Sequence, residues 1–138
     1  MKEKTMIPTI RVKIYLTADT LDLAEVTRRL GVKPTRAREK SEWPQVSIDL
    51  GFAVDEWNYE TPEKQCLSVE ESFREMLAIM APKITVIKEL IQEFQLETSL
   101  LVIVCGETMN LPEMYLSKEI IAFAASINAS IGFDMYLD

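Results

Sequence analysis

The segment from Thr9 to Leu16 constrains the fold most, because its residues alternate strictly between polar and apolar types. A period of two places the apolar side chains on one face of a β-strand and the polar side chains on the other. The apolar set is Ile10, Val12, Ile14 and Leu16, and the polar set is Thr9, Arg11, Lys13 and Tyr15. We therefore expect a sheet with one buried face.

Four further segments have the patterns of strands. Gln45 to Phe52 alternates through Val46, Ile48, Leu50 and Phe52, and with Glu56 to Thr61 it predicts hairpin-connected strands. Thr98 to Cys105 is continuously apolar and predicts a strand in the middle of the sheet. Ser130 to Leu137 alternates again, so a strand, crossover helix and strand end the chain.

Helix signals separate these strands. Asp22 and Glu25 have the spacing of a capping box, and Gly31 stands where that helix ends. Ser68 and Glu71 predict a second box at the start of a long helical region. Two more signals are a break or restart at Pro82 and a cap at Ser117.

These elements predict a single α+β domain over residues 1–138. We expect a two-layer sandwich with a mixed, mainly antiparallel sheet and helices on one face, in the order β-α-β-β-α-α-β-α-β. No apolar run approaches the ~20 residues that span a bilayer, and the first ten residues have no apolar signal core. We expect a cytoplasmic protein.

The composition argues against the common kinds of active site. The chain has no histidine, which removes the commonest general base and transition-metal ligand. Phosphate-binding loops, nucleophile elbows and metal-binding Cys/His sets are absent from the sequence. Cys66 and Cys105 have no C-x-x-C spacing and are expected to be free thiols. We therefore expect no catalytic residues, cofactor or metal.

The net charge of −7 is unevenly distributed along the chain. Residues 1–40 contain ten Lys and Arg against five Asp and Glu, whereas residues 41–138 contain five against seventeen. An acidic surface argues against nonspecific nucleic-acid binding and favours a basic protein partner.

The segment Gly31 to Lys40 concentrates positive charge in this acidic chain. Pro34 turns the chain out of the preceding helix, and Thr35 to Lys40 then has the length of a short strand. On such a strand, Arg36, Arg38 and Lys40 would share one face. This row is either a charged edge that blocks unwanted strand pairing or an anion-binding site.

The candidate ligand-binding residues combine the cations of this segment with the two tryptophans, either of which could supply a planar wall. A lone tryptophan in a loop more often covers the edge of the core, and this is the interpretation that we favour for Trp43. The candidates are Lys33, Arg36, Arg38, Lys40, Trp43 and Trp57.

The chain resembles the family described as domain of unknown function 4279 over essentially its whole length. The resemblance rests on Gly31, Pro34, Thr35, Arg36, Lys40, Trp57 and Tyr136. It departs from the family pattern at Ser41, where a glycine is expected after Lys40. The resemblance implies a bacterial α+β domain with no assigned activity, some relatives of which are associated with toxin-immunity neighbourhoods.

Two functions are compatible with these observations. The first is a non-enzymatic protein–protein interaction module, expected to form a homodimer, whose sharpest form is an immunity-like protein that binds a basic partner. The second is a module that binds an anionic metabolite or nucleotide at the basic strand 33–40. Neither function involves a membrane, and nucleic acid is not an expected partner.

Overall fold

The computed structural model of the chain describes residues 7–138. Its strands are β1 (Thr9–Ala18), β2 (Arg36–Arg38), β3 (Asp55–Glu60), β4 (Lys64–Gln65), β5 (Glu97–Gly106) and β6 (Ser130–Leu137). Its α-helices are α1 (Leu23–Leu30), α2 (Gln45–Asp49), α3 (Val69–Met80), α4 (Ile84–Phe94) and α5 (Lys118–Ser126). Short 3-10 turns cover Lys40–Glu42 and Ala81–Lys83.

The strands form one mixed sheet in the order β2-β3-β1-β5-β6. β1 is antiparallel to β3 on one side and to β5 on the other, and the short β4 pairs with the beginning of β1. β5 and β6 are parallel, with α5 in the connection between them. Only this pair is parallel among the described strands, so the predicted mixed, mainly antiparallel sheet is confirmed.

The buried face of the sheet is the face that the sequence pattern predicts. Every second residue of β1 from Ile10 to Leu16 is fully buried, whereas the residues between them keep partial exposure. The buried residues pack against the helices, with α3 lying across β1. The polar side of β1 is therefore called the open face here, and the apolar side is called the core face.

The α+β class is confirmed, and the predicted element order holds except between α1 and α3. In that region the strand predicted over residues 45–52 is absent, β2 and α2 precede β3, and the two-residue β4 follows it. The helix boundaries follow local chemistry: the Asp22 carboxylate accepts a hydrogen bond from the Glu25 backbone N–H, and Gly31 ends α1 with φ of 67°. The Ser117 hydroxyl caps α5 in the same way, by accepting from Ile120 N–H.

The predicted strand over residues 45–52 is wrong. Residues Gln45–Asp49 form α2 instead, directly after Pro44, and Gly51 turns the chain at φ of 77°. The alternating apolar residues Val46, Leu50 and Phe52 are all exposed. A strand here would need a neighbour, but both sides of β3 are taken by β1 and β2. Short apolar runs do not distinguish a helix from a strand by period alone.

The predicted capping box at Ser68 is also wrong, since the Ser68 side chain makes no capping hydrogen bond. Its backbone instead forms an isolated parallel bridge with Glu113. The carbonyl of Glu113 accepts from Val69 N–H at 2.9 Å, so the first N–H of α3 is satisfied by a distant segment. The predicted interruption at Pro82 is present as the 3-10 turn between α3 and α4, and both cysteines are free.

Gly31 should be the glycine least tolerant of substitution in the first half of the chain. An alanine there must adopt a left-handed backbone, which costs about 1–2 kcal/mol, although the nearest side-chain atom, Lys83 Nζ, lies 3.7 Å from the added Cβ. Gly132→Ala is the matched control, because its Cβ would meet only Leu101 Cδ1, at an ordinary 3.5 Å. Urea denaturation should show a loss of stability for Gly31→Ala alone; equal effects would contradict a backbone origin.

Candidate functional site

The two arginines of the basic segment lie on the edge strand β2. Arg36 pairs with Asn58 and Arg38 pairs with Glu56 in the antiparallel register with β3. Thr35 stabilises the beginning of this strand pairing, since its N–H donates to the Asn58 carbonyl and its hydroxyl accepts from Glu60 N–H, both at 2.9 Å. The register places both guanidinium groups on the open face, beside a carboxylate and an amide.

Lys40 does not continue this row, so the prediction of three cations on one strand face is wrong for that residue. β2 ends at Arg38, and Lys40 begins a 3-10 turn. The Asp55 carboxylate accepts from Lys40 N–H at 2.8 Å, and Lys40 Nζ donates to Asp19 at 3.1 Å. The chain leaves the sheet here because the buried Asp55 carboxylate, rather than a neighbouring strand, accepts the hydrogen bond from the Lys40 backbone N–H.

Trp43 folds back over Arg38. The centre of the Arg38 guanidinium lies 3.7 Å from the centroid of the indole ring, which is the geometry of a cation–π stack. Nη2 of the same guanidinium lies 3.9 Å from Glu56 Oε1. Arg38 therefore contacts both an aromatic ring and a carboxylate.

Three polar atoms of this cluster are buried and make no hydrogen bond within residues 7–138. They are Arg38 Nε, Trp43 Nε1 and Asn58 Oδ1. Asn58 is only 2 % exposed, and its Nδ2 donates to Glu56 Oε2 at 2.9 Å. Buried polar atoms are normally paired, so these three exceptions distinguish the cluster from the rest of the open face. We call Arg36, Arg38, Trp43, Glu56 and Asn58 the arginine cluster.

The structure brings Arg36, Arg38 and Trp43 of the predicted residues together and leaves the others apart. Lys33 is exposed in the turn before β2. Trp57 is fully buried on the core face, where its Nε1 donates to Thr27 Oγ1 at 3.0 Å. Trp57 therefore packs on the opposite side of the sheet from Arg38.

Glu56 and Asn58 belong to the cluster, although the sequence did not single them out as site residues. The available signal was the period of two along β3, which places them on the face opposite Trp57. Their pairing with β2 required the register, which short strands do not reveal.

Arg11 and Lys64 are more fully paired than the cations of the arginine cluster. Arg11 donates to Glu60 at 2.6 Å on the same open face. Lys64 lies 3.2 Å from Glu75 and 3.3 Å from Glu71, and these hydrogen bonds raise the pKa of its ammonium group.

The turn and short helix that carry Trp43 pack loosely. Neither the 3-10 turn Lys40–Glu42 nor α2 contains a buried residue. A cleft of about 570 Å³ lies between this segment and the end of β1. Its lining comprises Asp19, Lys40, Ser41, Gln45, Ile48, Gly51 and Ala53. We call residues 40–52 the flap.

The opposite edge of the sheet is formed by β6. Within residues 7–138 no strand pairs with its outer side. Phe133 is 41 % exposed and Tyr136 is 61 % exposed, and Met135 and Leu137 are also exposed. β6 is therefore a long edge with apolar side chains at the surface.

Residues 7–138 contain no group of three or more Cys, Asp or Glu side chains placed to hold a metal ion. No helix in this part of the chain is long and apolar enough to cross a membrane.

A family model described as a domain of unknown function, DUF4279, matches residues 8–138. The chain belongs to the DUF4279 family. No curated protein and no solved structure matches the chain. Of the residues on which the family resemblance was recognised, Gly31, Pro34, Thr35 and Arg36 form the path from α1 into β2 in this DUF4279 member. That path positions the arginine cluster.

Asp55 should be the main anchor of the flap in this DUF4279 protein. Its carboxylate accepts from Leu21 N–H at 2.9 Å and from Lys40 N–H at 2.8 Å. Asp55→Ala leaves both donors without an acceptor, so we expect unfolding free energy to decrease by about 2–4 kcal/mol in urea denaturation.

Asp49→Ala is the matched control for Asp55→Ala. Asp49 accepts only an exposed hydrogen bond from Gln45 Nε2 within α2, so its loss should change stability by less than about 0.5 kcal/mol. Equal effects of the two substitutions would show that Asp55 does not anchor the flap.

Proposed function

We propose that this DUF4279 protein is a non-enzymatic interaction module that forms a homodimer by pairing the β6 edges of two copies. The observation that carries the proposal is the outer edge of the eight-residue strand β6, which pairs with no strand within residues 7–138 and has exposed apolar side chains. Exposed backbone N–H and C=O groups on such an edge are a template for another strand.

The two edges of the sheet differ in a way that supports this assignment. β2 has three residues, two of them arginine, and the chain turns away from it after Arg38. Short, charged edges resist pairing with other chains. β6 contains no lysine, arginine or proline, so it lacks the usual protection and is suited to pairing.

A second copy of the chain is the partner that best fits β6, because two β6 strands can pair with apolar side chains opposite each other. The core-face residues of β6 include Ile131, Phe133 and Met135. An antiparallel pair centred on Phe133 places Phe133 opposite the partner's Phe133 and Ile131 opposite the partner's Met135. Apolar cross-strand pairs of this kind stabilise a sheet.

The alternative registers are weaker. Centring the pair on Asp134 places two aspartates directly opposite each other, which is destabilising. Centring it on Met135 shortens the paired segment to 133–137. The helical layer also favours the second copy, since α5 exposes Ile121, Ala122 and Ala125 to solvent.

We expect sedimentation equilibrium to show a dimer that Phe133→Lys converts to a monomer. A lysine at the centre of the paired edges would place like charges opposite each other. Val46→Lys is the matched control, since Val46 is an exposed apolar residue on α2, away from β6. A monomeric wild-type protein, or a dimer that Phe133→Lys leaves intact, would contradict the proposal.

The salt dependence separates this dimer from an acidic–basic complex. Each copy carries a net charge of −7, so screening should strengthen the dimer as ionic strength increases. Binding of a basic partner, as in an immunity-like protein, should instead weaken with salt. The acidic charge of the chain favours the binding of such a basic partner in addition to dimerisation.

Disulfide trapping should identify the register. In a Cys105→Ser background, Phe133→Cys should form an intermolecular disulfide rapidly, because directly opposite Cβ atoms lie about 5 Å apart. Asp134→Cys should crosslink slowly, and non-reducing electrophoresis measures both rates. Faster crosslinking of Asp134→Cys would reject the register centred on Phe133.

A further inference from the structure

We propose that the arginine cluster is a closed binding site for a small carboxylate that carries a hydrogen-bond donor beside the carboxylate group. The proposal does not depend on the dimer at β6. It rests on the three buried polar atoms that make no hydrogen bond within the described chain, two of them donors and one an acceptor. Their side chains are linked by contacts, since Arg38 contacts Trp43 and Glu56, and Glu56 contacts Asn58.

The carboxylate is assigned from Arg38 Nε, which makes no hydrogen bond. Nη2 of the same guanidinium faces Glu56, 3.9 Å from its Oε1, so Nε is the donor left for a ligand. A ligand carboxylate that accepts from Nε would form a charge-assisted hydrogen bond. Stacking on Trp43 holds the plane of the guanidinium, and Trp43 Nε1 is a further unpaired donor of the cluster.

The donor on the ligand is assigned from Asn58. The Nδ2 of Asn58 donates to Glu56, which fixes the orientation of the amide. Its Oδ1 is then an acceptor that faces no donor. A ligand hydroxyl or N–H next to the carboxylate would satisfy it.

The charge of the cluster favours a monoanion. Arg36 and Arg38 contribute two positive charges, and Glu56, with its side chain 10 % exposed, contributes one negative charge. A carboxylate neutralises the remaining charge. A phosphate dianion would bring excess negative charge close to Glu56, which is unfavourable away from water.

The flap controls access to the cluster. The three atoms are shielded from solvent, and Trp43 is the part of the shield that lies in the flap. The hydrogen bond from Lys40 N–H to Asp55 anchors the start of the flap, whereas the rest of its 3-10 turn and α2 bury no residue. The part of the flap after Lys40 can therefore move while this anchor and the sheet stay in place. The ligand enters when Trp43 swings out and is covered when it returns.

The test uses glycolate as the probe and the indole N–H signals of the two tryptophans in ¹⁵N-labelled protein as the readout. At constant ionic strength, glycolate should shift the Trp43 signal saturably and leave the Trp57 signal in place. Acetate lacks the donor and should bind more weakly, and inorganic phosphate should also bind more weakly. Trp43→Phe assigns the signals.

Arg38→Lys is the decisive variant, because it keeps the charge and removes the Nε donor. We expect it to weaken glycolate binding by at least about tenfold. Arg28→Lys is the matched control, since Arg28 pairs only with Glu25 on the surface of α1 and should bind glycolate as the wild type does.

Three results would overturn the assignment. The first is the absence of any saturable shift of Trp43 with glycolate, which would mean that water alone satisfies the three atoms. The second is equal glycolate affinity in wild type and Arg38→Lys. The third is tighter binding of phosphate than of glycolate. None of these results bears on dimerisation, so the two proposals fail separately.

Discussion

The pairing of β1 along both of its edges is the constraint on which the rest of the structure depends. β5 pairs with β1 from Thr9 to Thr17, and β3 pairs with it from Lys13 to Ala18. Because side chains alternate across a sheet, these registers decide which residues of β3 and β5 face the helices. They place Trp57 beside Leu16 in the core, and so they place Glu56 and Asn58 on the open face. A shift of one residue would exchange these positions.

The open face has two regions that differ in how fully their charged side chains are paired. Around the middle of β1, Glu60 lies 2.6 Å from Arg11 and 3.5 Å from Lys13, so the charges there compensate each other. Next to β2, the contact between Arg38 and Glu56 is longer and leaves donors unused. The same residue types thus form a satisfied surface in one place and an incompletely satisfied cluster a few residues away. This contrast, rather than the number of positive charges, distinguishes the cluster from an ordinary solvated edge.

The sequence predicted those parts of the fold whose signals are local. The alternation in β1, the cap at Asp22 and the glycine at residue 31 each determine structure through neighbouring residues, and all three are present as predicted. Whether residues 45–52 could form a strand depended on a neighbouring strand with a free edge, and no local sequence pattern encodes that. The same holds for Ser68, whose capping role was replaced by a carbonyl 45 positions away at Glu113.

The candidate site was predictable to the same extent. Arg36 and Arg38 share a face because of their spacing, whereas the exclusion of Lys40 depends on a hydrogen bond to Asp55, 15 positions away. The contribution of Asn58 follows from the pairing of β2 with β3. The interpretation of Trp43 as a residue that covers the edge of the core was wrong: Trp57 lies in the core, whereas Trp43 stacks on Arg38.

The arginine cluster and the β6 edge lie far apart in the sheet, which limits how ligand binding at one could affect strand pairing at the other. The arginine cluster is at the β2 edge, and the exposed apolar strand β6 is at the other edge, with β3, β1 and β5 between them. Four strand spacings of about 4.8 Å separate the two edges by about 19 Å. A ligand at Arg38 therefore contacts no residue of β6, and an effect on dimerisation would have to pass through β1, whose core-face residues are fully buried. Such a packed strand does not deform gradually, so ligand binding that moves only the flap should leave the β6 edge unchanged.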